Sequence, residues 1–163
     1  MSAQETLRIA EHLYLSGYTT YPRTESTDFS ENFDFKEILT EQKDHPEWGY
    51  FATNLLKNGH NRPKKGVDAG DHPPITPVRA ATRHEFGDRE WQIYSFITRS
   101  FLGCISTDAT YDSCAIMFES GGEQFKANGR ILLKPGFLEV MPWHGGEDVE
   151  VPDFRVGEEI AIV

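Results

Sequence analysis

The segment Gly103-Cys104-Ile105-Ser106-Thr107-Asp108-Ala109-Thr110-Tyr111-Asp112-Ser113-Cys114-Ala115-Ile116-Met117-Phe118-Glu119 is where the hydrophobic period of this chain changes. Upstream, Trp91, Tyr94, Ile97 and Phe101 recur at three- and four-residue spacing, the period of an amphipathic helix, with Ile93 and Phe96 thickening the face. Asp88 stands where it can cap that helix. Downstream, Tyr111 to Glu119 alternates, with Cys114, Ile116 and Phe118 on one face and Ser113, Ala115 and Met117 on the other. Gly121-Gly122 then reads as a hairpin turn, with Gln124 to Ala127 the returning strand. Pro135-Gly136 is a second turn, leading into Phe137 to Met141 as further β structure. The fold class is therefore α+β, with helices giving way to strands near residues 104–110.

The same logic orders the N-terminal part. Ser2-Ala3-Gln4-Glu5 has the form of a capping box. Ala3, Leu7, Ala10 and Tyr14, widened by Ile9 and Leu13, form the apolar face of a helix that Gly17 ends. Phe35, Ile38 and Leu39 predict a short second helix. A third starts with Pro46 at its first position, carries Trp48, Phe51, Ala52, Leu55 and Leu56, and closes at Gly59. From His60 to Pro77 the chain is rich in Pro and Gly, a long irregular loop of the kind that is functional or flexible.

Composition narrows the class. With 163 residues, 38% hydrophobic and 12% aromatic, the chain can bury a core and is not a disordered segment. No run reaches the length of a membrane span and no leader precedes the first helix, so no membrane association is expected. Cys104 and Cys114 lack metal-type spacing and read as small buried thiols of a reducing compartment, hence nucleus and cytoplasm. The net charge of −10 argues against a nucleic-acid binder until its distribution is considered. From Glu139 onward seven acids face one base, whereas Lys57, Arg62, Lys64 and Lys65 lie together without an acid.

Two stretches carry chemistry. In Gly17-Tyr18-Thr19-Thr20-Tyr21-Pro22-Arg23-Thr24-Glu25-Ser26-Thr27, an extended backbone puts Tyr21 and Arg23 on one face. A phenol beside a guanidinium suits attack on a phosphodiester, the arginine holding a phosphate oxygen and favouring the phenolate. Because a phenol titrates near ~10, a cationic neighbour is needed at neutral pH. The ordinary alternative is an Arg23–Glu25 surface pair. In Asp68-Ala69-Gly70-Asp71-His72-Pro73-Pro74-Ile75-Thr76-Pro77, three prolines stiffen the presentation of His72. Asp68, Asp71 and His72 on one loop make a weak metal pattern, and no metal site is assigned.

Tyr21-Pro22-Arg23-Thr24-Glu25-Ser26-Thr27 resembles the active-site signature of type IA DNA topoisomerases, and Asp71-His72-Pro73-Pro74-Ile75-Thr76-Pro77 their second signature, in family order. The fuller Asp68 to Pro74 form, with Met141-Pro142-Trp143, is similar to the beta type of eukaryotic topoisomerase III. The resemblance implies a mainly helical gate domain over residues 1–106, followed by an incomplete piece of a β-rich arch over 107–163. It implies Tyr21 as the nucleophile that joins the 5′ phosphate of a cut strand, with Arg23 and His72 beside it. Thr24, Lys57, Arg62, Lys64, Lys65 and Thr76 are the candidate nucleic-acid contacts. It further implies no ATP, Mg²⁺ held by an acidic domain outside this chain, single-stranded DNA or RNA as substrate, and a Tudor-domain protein partner. On this reading the chain is a nucleophile-bearing fragment, silent in isolation. Two other readings predict different behaviour: a single-strand-binding module without chemistry, and a protein-interaction piece.

Overall fold

Ser2 does begin the first helix. In the computed structural model, which describes residues 1–161, its Oγ accepts from the Glu5 N–H at 3.2 Å, and α1 runs Ala3–Leu15. At the other end Tyr18 N–H bonds to Leu13 O and Gly17 N–H to Tyr14 O, both at 2.9 Å. This doubly bonded turn needs a left-handed residue, and Gly17 supplies it at φ +78°. The buried seam of α1 is Ile9, Ala10 and Leu13; Leu7 is half-buried, and Ala3 and Tyr14 are exposed, so the inward face is rotated from the one expected.

Helices α2 (Phe35–Gln42), α3 (Gly49–Asn58) and α4 (Asp88–Cys104) complete the helical part, α1 packing on α4 and α2 on α3. The chain is α+β, as its period change indicates. Two helix starts differ from expectation. Pro46 lies in a turn before α3 rather than at its first position, because buried Trp48 serves as N-cap and Gly49 N–H already bonds back to His45 O at 2.8 Å. Asp88 is the first residue of α4 rather than its cap; Gly87 precedes it, and the Glu90 carboxylate accepts the Gly87 N–H at 3.0 Å. Asp88 instead pairs with Arg83.

The core is aromatic, and a chain of hydrogen bonds runs through it. Trp48 stacks on His45 (3.6 Å, 7°) and on Trp91 (5.6 Å, 11°). The Trp48 indole donates to Gln42 Oε1 at 2.8 Å, Gln42 Nε2 donates to Tyr94 Oη at 3.1 Å, and Tyr94 Oη donates to Arg79 O at 2.7 Å. The polar atoms of Trp48, Gln42 and Tyr94 thus find partners while tying α2, α3 and α4 to the segment after the long loop. Leu13, Leu39 and Leu102 are fully buried around this stack, each contributing about 1.5–3 kcal/mol. Phe96 is not part of the core: it is 57% exposed and lies against Trp143.

Beyond α4, β1 (Thr110–Ser120) and β2 (Glu123–Lys134) form an antiparallel hairpin around Gly121–Gly122, with Phe118 opposite Phe125 and Cys114 opposite Gly129. β2 continues well past Ala127, where Asn128-Gly129-Arg130 interrupts the alternation without interrupting the ladder. Phe137 to Met141 is not a strand. Gly136–Glu139 is a 3₁₀ turn: Leu138 N–H bonds to Pro135 O and Val140 N–H to Phe137 O, which turns Leu138 and Val140 inward. Both cysteines are exposed rather than buried: Cys104 ends α4 and Cys114 lies on the hairpin. Among the described residues, no helix is long and apolar enough to cross a membrane.

Candidate active site

The two stretches singled out in the sequence are zipped together. Thr20 N–H bonds to Thr76 O (2.9 Å), Val78 N–H to Tyr18 O (2.8 Å) and Thr27 N–H to Val67 O (2.8 Å). Thr19 and Pro77 form an antiparallel bridge. Residues 18–28 and 67–78 are therefore an irregular antiparallel ribbon whose middle holds Tyr21 on one side and His72 on the other. Their rings meet edge-on, 4.6 Å between centroids at 61°. Tyr21 also packs edge-on against Tyr14 of α1 at 5.2 Å.

The backbone bends at Pro22, so strict strand alternation does not place Arg23. Helix α1 does. The Arg23 Nε–H donates to Glu11 Oε1 at 2.6 Å, and Glu11 lies one helical turn from Tyr14 on the same face. Tyr21 and Arg23 consequently lean on one patch of α1. The Arg23 partner is Glu11, where sequence alone had suggested Glu25, and this carboxylate raises the arginine above its ordinary value.

Asp71 fastens the ribbon beside His72. Its carboxylate accepts from the Glu25 N–H (3.0 Å) and the Ser26 hydroxyl (2.8 Å), while Thr24 Oγ1 donates to His72 O at 2.7 Å. The Glu25 N–H first, then the Ser26 hydroxyl and the His72 N–H, hold the Asp71 carboxyl far below the usual carboxylate range. With its oxygens so engaged, Asp71 is a structural acceptor. Among the described residues, no group of three or more His, Cys, Asp or Glu side chains is placed to hold a metal ion.

The candidate nucleic-acid contacts separate by environment. Lys57, Lys64 and Lys65 are exposed, and none is in an ion pair among the described residues. Arg62 is engaged internally: it donates to Phe29 O (2.6 Å), Ser30 O (2.5 Å) and Glu31 O (3.3 Å) and lies over the Phe35 ring. Thr76 is 1% exposed and pairs with Thr20. Thr24 is half-buried against the His72 backbone. The contributions of Glu11 and Asp71 to this arrangement went unforeseen. Glu11 carries no sequence signal as an Arg23 partner, and Asp71 none beyond its place before the histidine.

A family model described as DNA topoisomerase matches residues 1–163. The chain is 48% identical over 143 residues to DNA topoisomerase 3-beta-1 of Mus musculus, covering 88% of this chain and 17% of that protein. It is 49% identical over 143 residues to DNA topoisomerase 3-beta-1 of Homo sapiens, with the same coverage. DNA topoisomerase 3-beta of Arabidopsis thaliana is 40% identical over 160 residues, covering 98% of this chain and 18% of that protein. The chain thus spans less than a fifth of the length of these relatives.

Proposed function

On the premise that this chain belongs to the DNA topoisomerase family, matched over residues 1–163, we propose that it is the nucleophile-bearing part of a type IA enzyme. That enzyme cuts and rejoins one nucleic-acid strand and so relaxes or decatenates DNA. The observation that supports this most is the convergence of Tyr21 and His72, from the two signature stretches, at 4.6 Å, with Arg23 held on the same face of α1.

The chemistry is a transesterification. Tyr21 Oη attacks the scissile phosphorus, the bond from phosphorus to the 3′ oxygen breaks, and a bond from Tyr21 to the 5′ phosphate forms. The phenol loses its proton and the departing 3′ oxygen gains one. Arg23 is suited to bind a non-bridging oxygen and to favour the phenolate, and His72 to hydrogen-bond the phosphate or carry the proton. One phosphoester replaces another, so no ATP is required. Mg²⁺ belongs in this proposal to an acidic domain outside the chain.

Residues 1–106 act as the gate domain and 107–163 as part of the arch that connects it to the rest. The substrate is single-stranded DNA, with RNA as a second substrate class; the partner is a Tudor-domain protein, and the protein works in nucleus and cytoplasm. The decisive experiment uses a full-length protein carrying this segment with a single-stranded oligonucleotide. Tyr21→Phe eliminates the covalent protein–DNA adduct, and an adduct that survives the substitution overturns the assignment.

A further inference from the structure

The contact between Glu11 and Arg23 is made through one particular nitrogen. Glu11 Oε1 accepts from Nε, at 2.6 Å, and among the described residues no hydrogen bond engages either terminal Nη of Arg23. A guanidinium presents five N–H donors in a rigid planar fork. Holding it at Nε fixes the plane while leaving the Nη edge available, which is the edge that can meet two phosphate oxygens at once. Glu11 is itself fixed by α1, and its neighbour one turn on, Tyr14, packs against Tyr21 at 5.2 Å. The helix therefore sets the position of the phenol and the orientation of the guanidinium from adjacent positions on one face.

We infer that Glu11 is a positioning residue: it holds Arg23 by Nε and aims the free Nη edge at the phosphate that Tyr21 attacks. This inference rests on the function proposed above. A competing role for the same carboxylate would be to occupy Arg23 and exclude phosphate. The contact through Nε alone argues against it, since the groups that would bind phosphate are left uncovered. The exposure of the two side chains, 57% for Arg23 and 33% for Glu11, leaves room for a strand to approach. A pair this exposed adds little to stability, so its contribution lies in orientation, where misplacing a group by about 1 Å costs up to ~100-fold in rate.

The test is a double-mutant cycle on strand cleavage in a full-length protein carrying this segment, joined to NMR on this chain. Glu11→Ala slows cleavage by about 10- to 100-fold, and Glu11→Gln, which keeps an acceptor oxygen, recovers most of the rate. In an Arg23→Ala background, Glu11→Ala has no further effect, a coupling that a merely structural role would not produce. Independent, multiplying effects overturn the inference, as does a folded Glu11→Ala protein with the wild-type rate or a Glu11→Gln protein as slow as Glu11→Ala. Should Glu11→Ala fold poorly, the ¹⁵N resonance of Arg23 Nε–H in the unaltered chain decides. Slow exchange with solvent supports the hold, and exchange as fast as at exposed Arg8 overturns it. The two readings fail differently: a surviving adduct in Tyr21→Phe removes the nucleophile assignment, whereas a Tyr21-dependent adduct without Glu11–Arg23 coupling removes only this one.

Discussion

The imidazole of His72 meets the phenol of Tyr21 edge-on at 4.6 Å because the segments that carry them are bonded to each other on both sides of that contact. On the near side Thr20 bonds to Thr76, and on the far side Thr27 bonds to Val67. The pair is thus set by backbone pairing rather than by its own packing. Removing the imidazole should leave the ribbon intact. We predict that His72→Ala slows adduct formation by about 100-fold or more, the scale of lost acid–base assistance, with an unchanged circular-dichroism melt. A wild-type cleavage rate would show that His72 plays no part in proton transfer or phosphate binding.

Asp71 makes a prediction about acid. Its carboxyl titrates lower in the folded chain than in the unfolded one, so the unfolded state binds more protons on acidification. The stability it contributes is therefore complete above the ordinary carboxylate value near ~3.9 and is lost as pH falls below that toward its depressed native value. Asp71→Asn removes this dependence. Urea denaturation of the two proteins should show a constant gap above pH ~5 that narrows in more acidic solution. A gap that widens on acidification would contradict the contacts to Glu25 and Ser26.

Within the basic stretch, Arg62 and the lysines should behave differently. Arg62 fastens the carbonyls of residues 29–31, so Arg62→Ala should destabilise the fold by about 1–3 kcal/mol. Lys57, Lys64 and Lys65 are exposed; replacing each with Ala should leave the melt unchanged. If they contact a single strand, each replacement lowers the salt slope of binding by about 0.7. Fluorescence anisotropy at two salt concentrations measures this, and slopes that do not respond would remove the lysines from the interface.

Much of this was legible beforehand, for physical reasons that differ by element. The ends of α1 are announced by Ser2 and Gly17, because a cap and a left-handed residue are requirements of local backbone geometry. The resemblance carried by the two signatures is borne out by the family match and the topoisomerase relatives. Elements decided by tertiary partners were harder to read. Pro46 has the chemistry of a helix start, but burial of Trp48 against His45 and Trp91 moves the start of α3 onward. Leu138 and Val140 alternate like a strand, yet their i→i−3 hydrogen bonds make a 3₁₀ turn. Glu11 was invisible as an Arg23 partner because nothing in a one-dimensional pattern says that the chain folds back along α1 after Gly17.

His45 lies in that buried aromatic stack and yields a prediction independent of catalysis. Its Nε2 lies 3.0 Å from Ala81 O and its Nδ1 accepts from the Glu47 N–H at 3.1 Å, an arrangement that suits the neutral ring with the proton on Nε2. Burial is the main cause that pushes its titration below the ordinary histidine value, against the smaller opposing effect of Ala81 O. The folded chain therefore resists the proton that the unfolded chain accepts near ~6.5. Stability contributed by the neutral ring is full above that pH and declines as pH falls through it toward the depressed native value. Thermal melts between pH 7.5 and 5 (a range chosen to bracket ~6.5) should show a falling midpoint. His45→Gln should lower the midpoint at pH 7.5, through lost stacking on Trp48, yet flatten its pH dependence. An equally steep dependence in the variant would assign the acid sensitivity to another group.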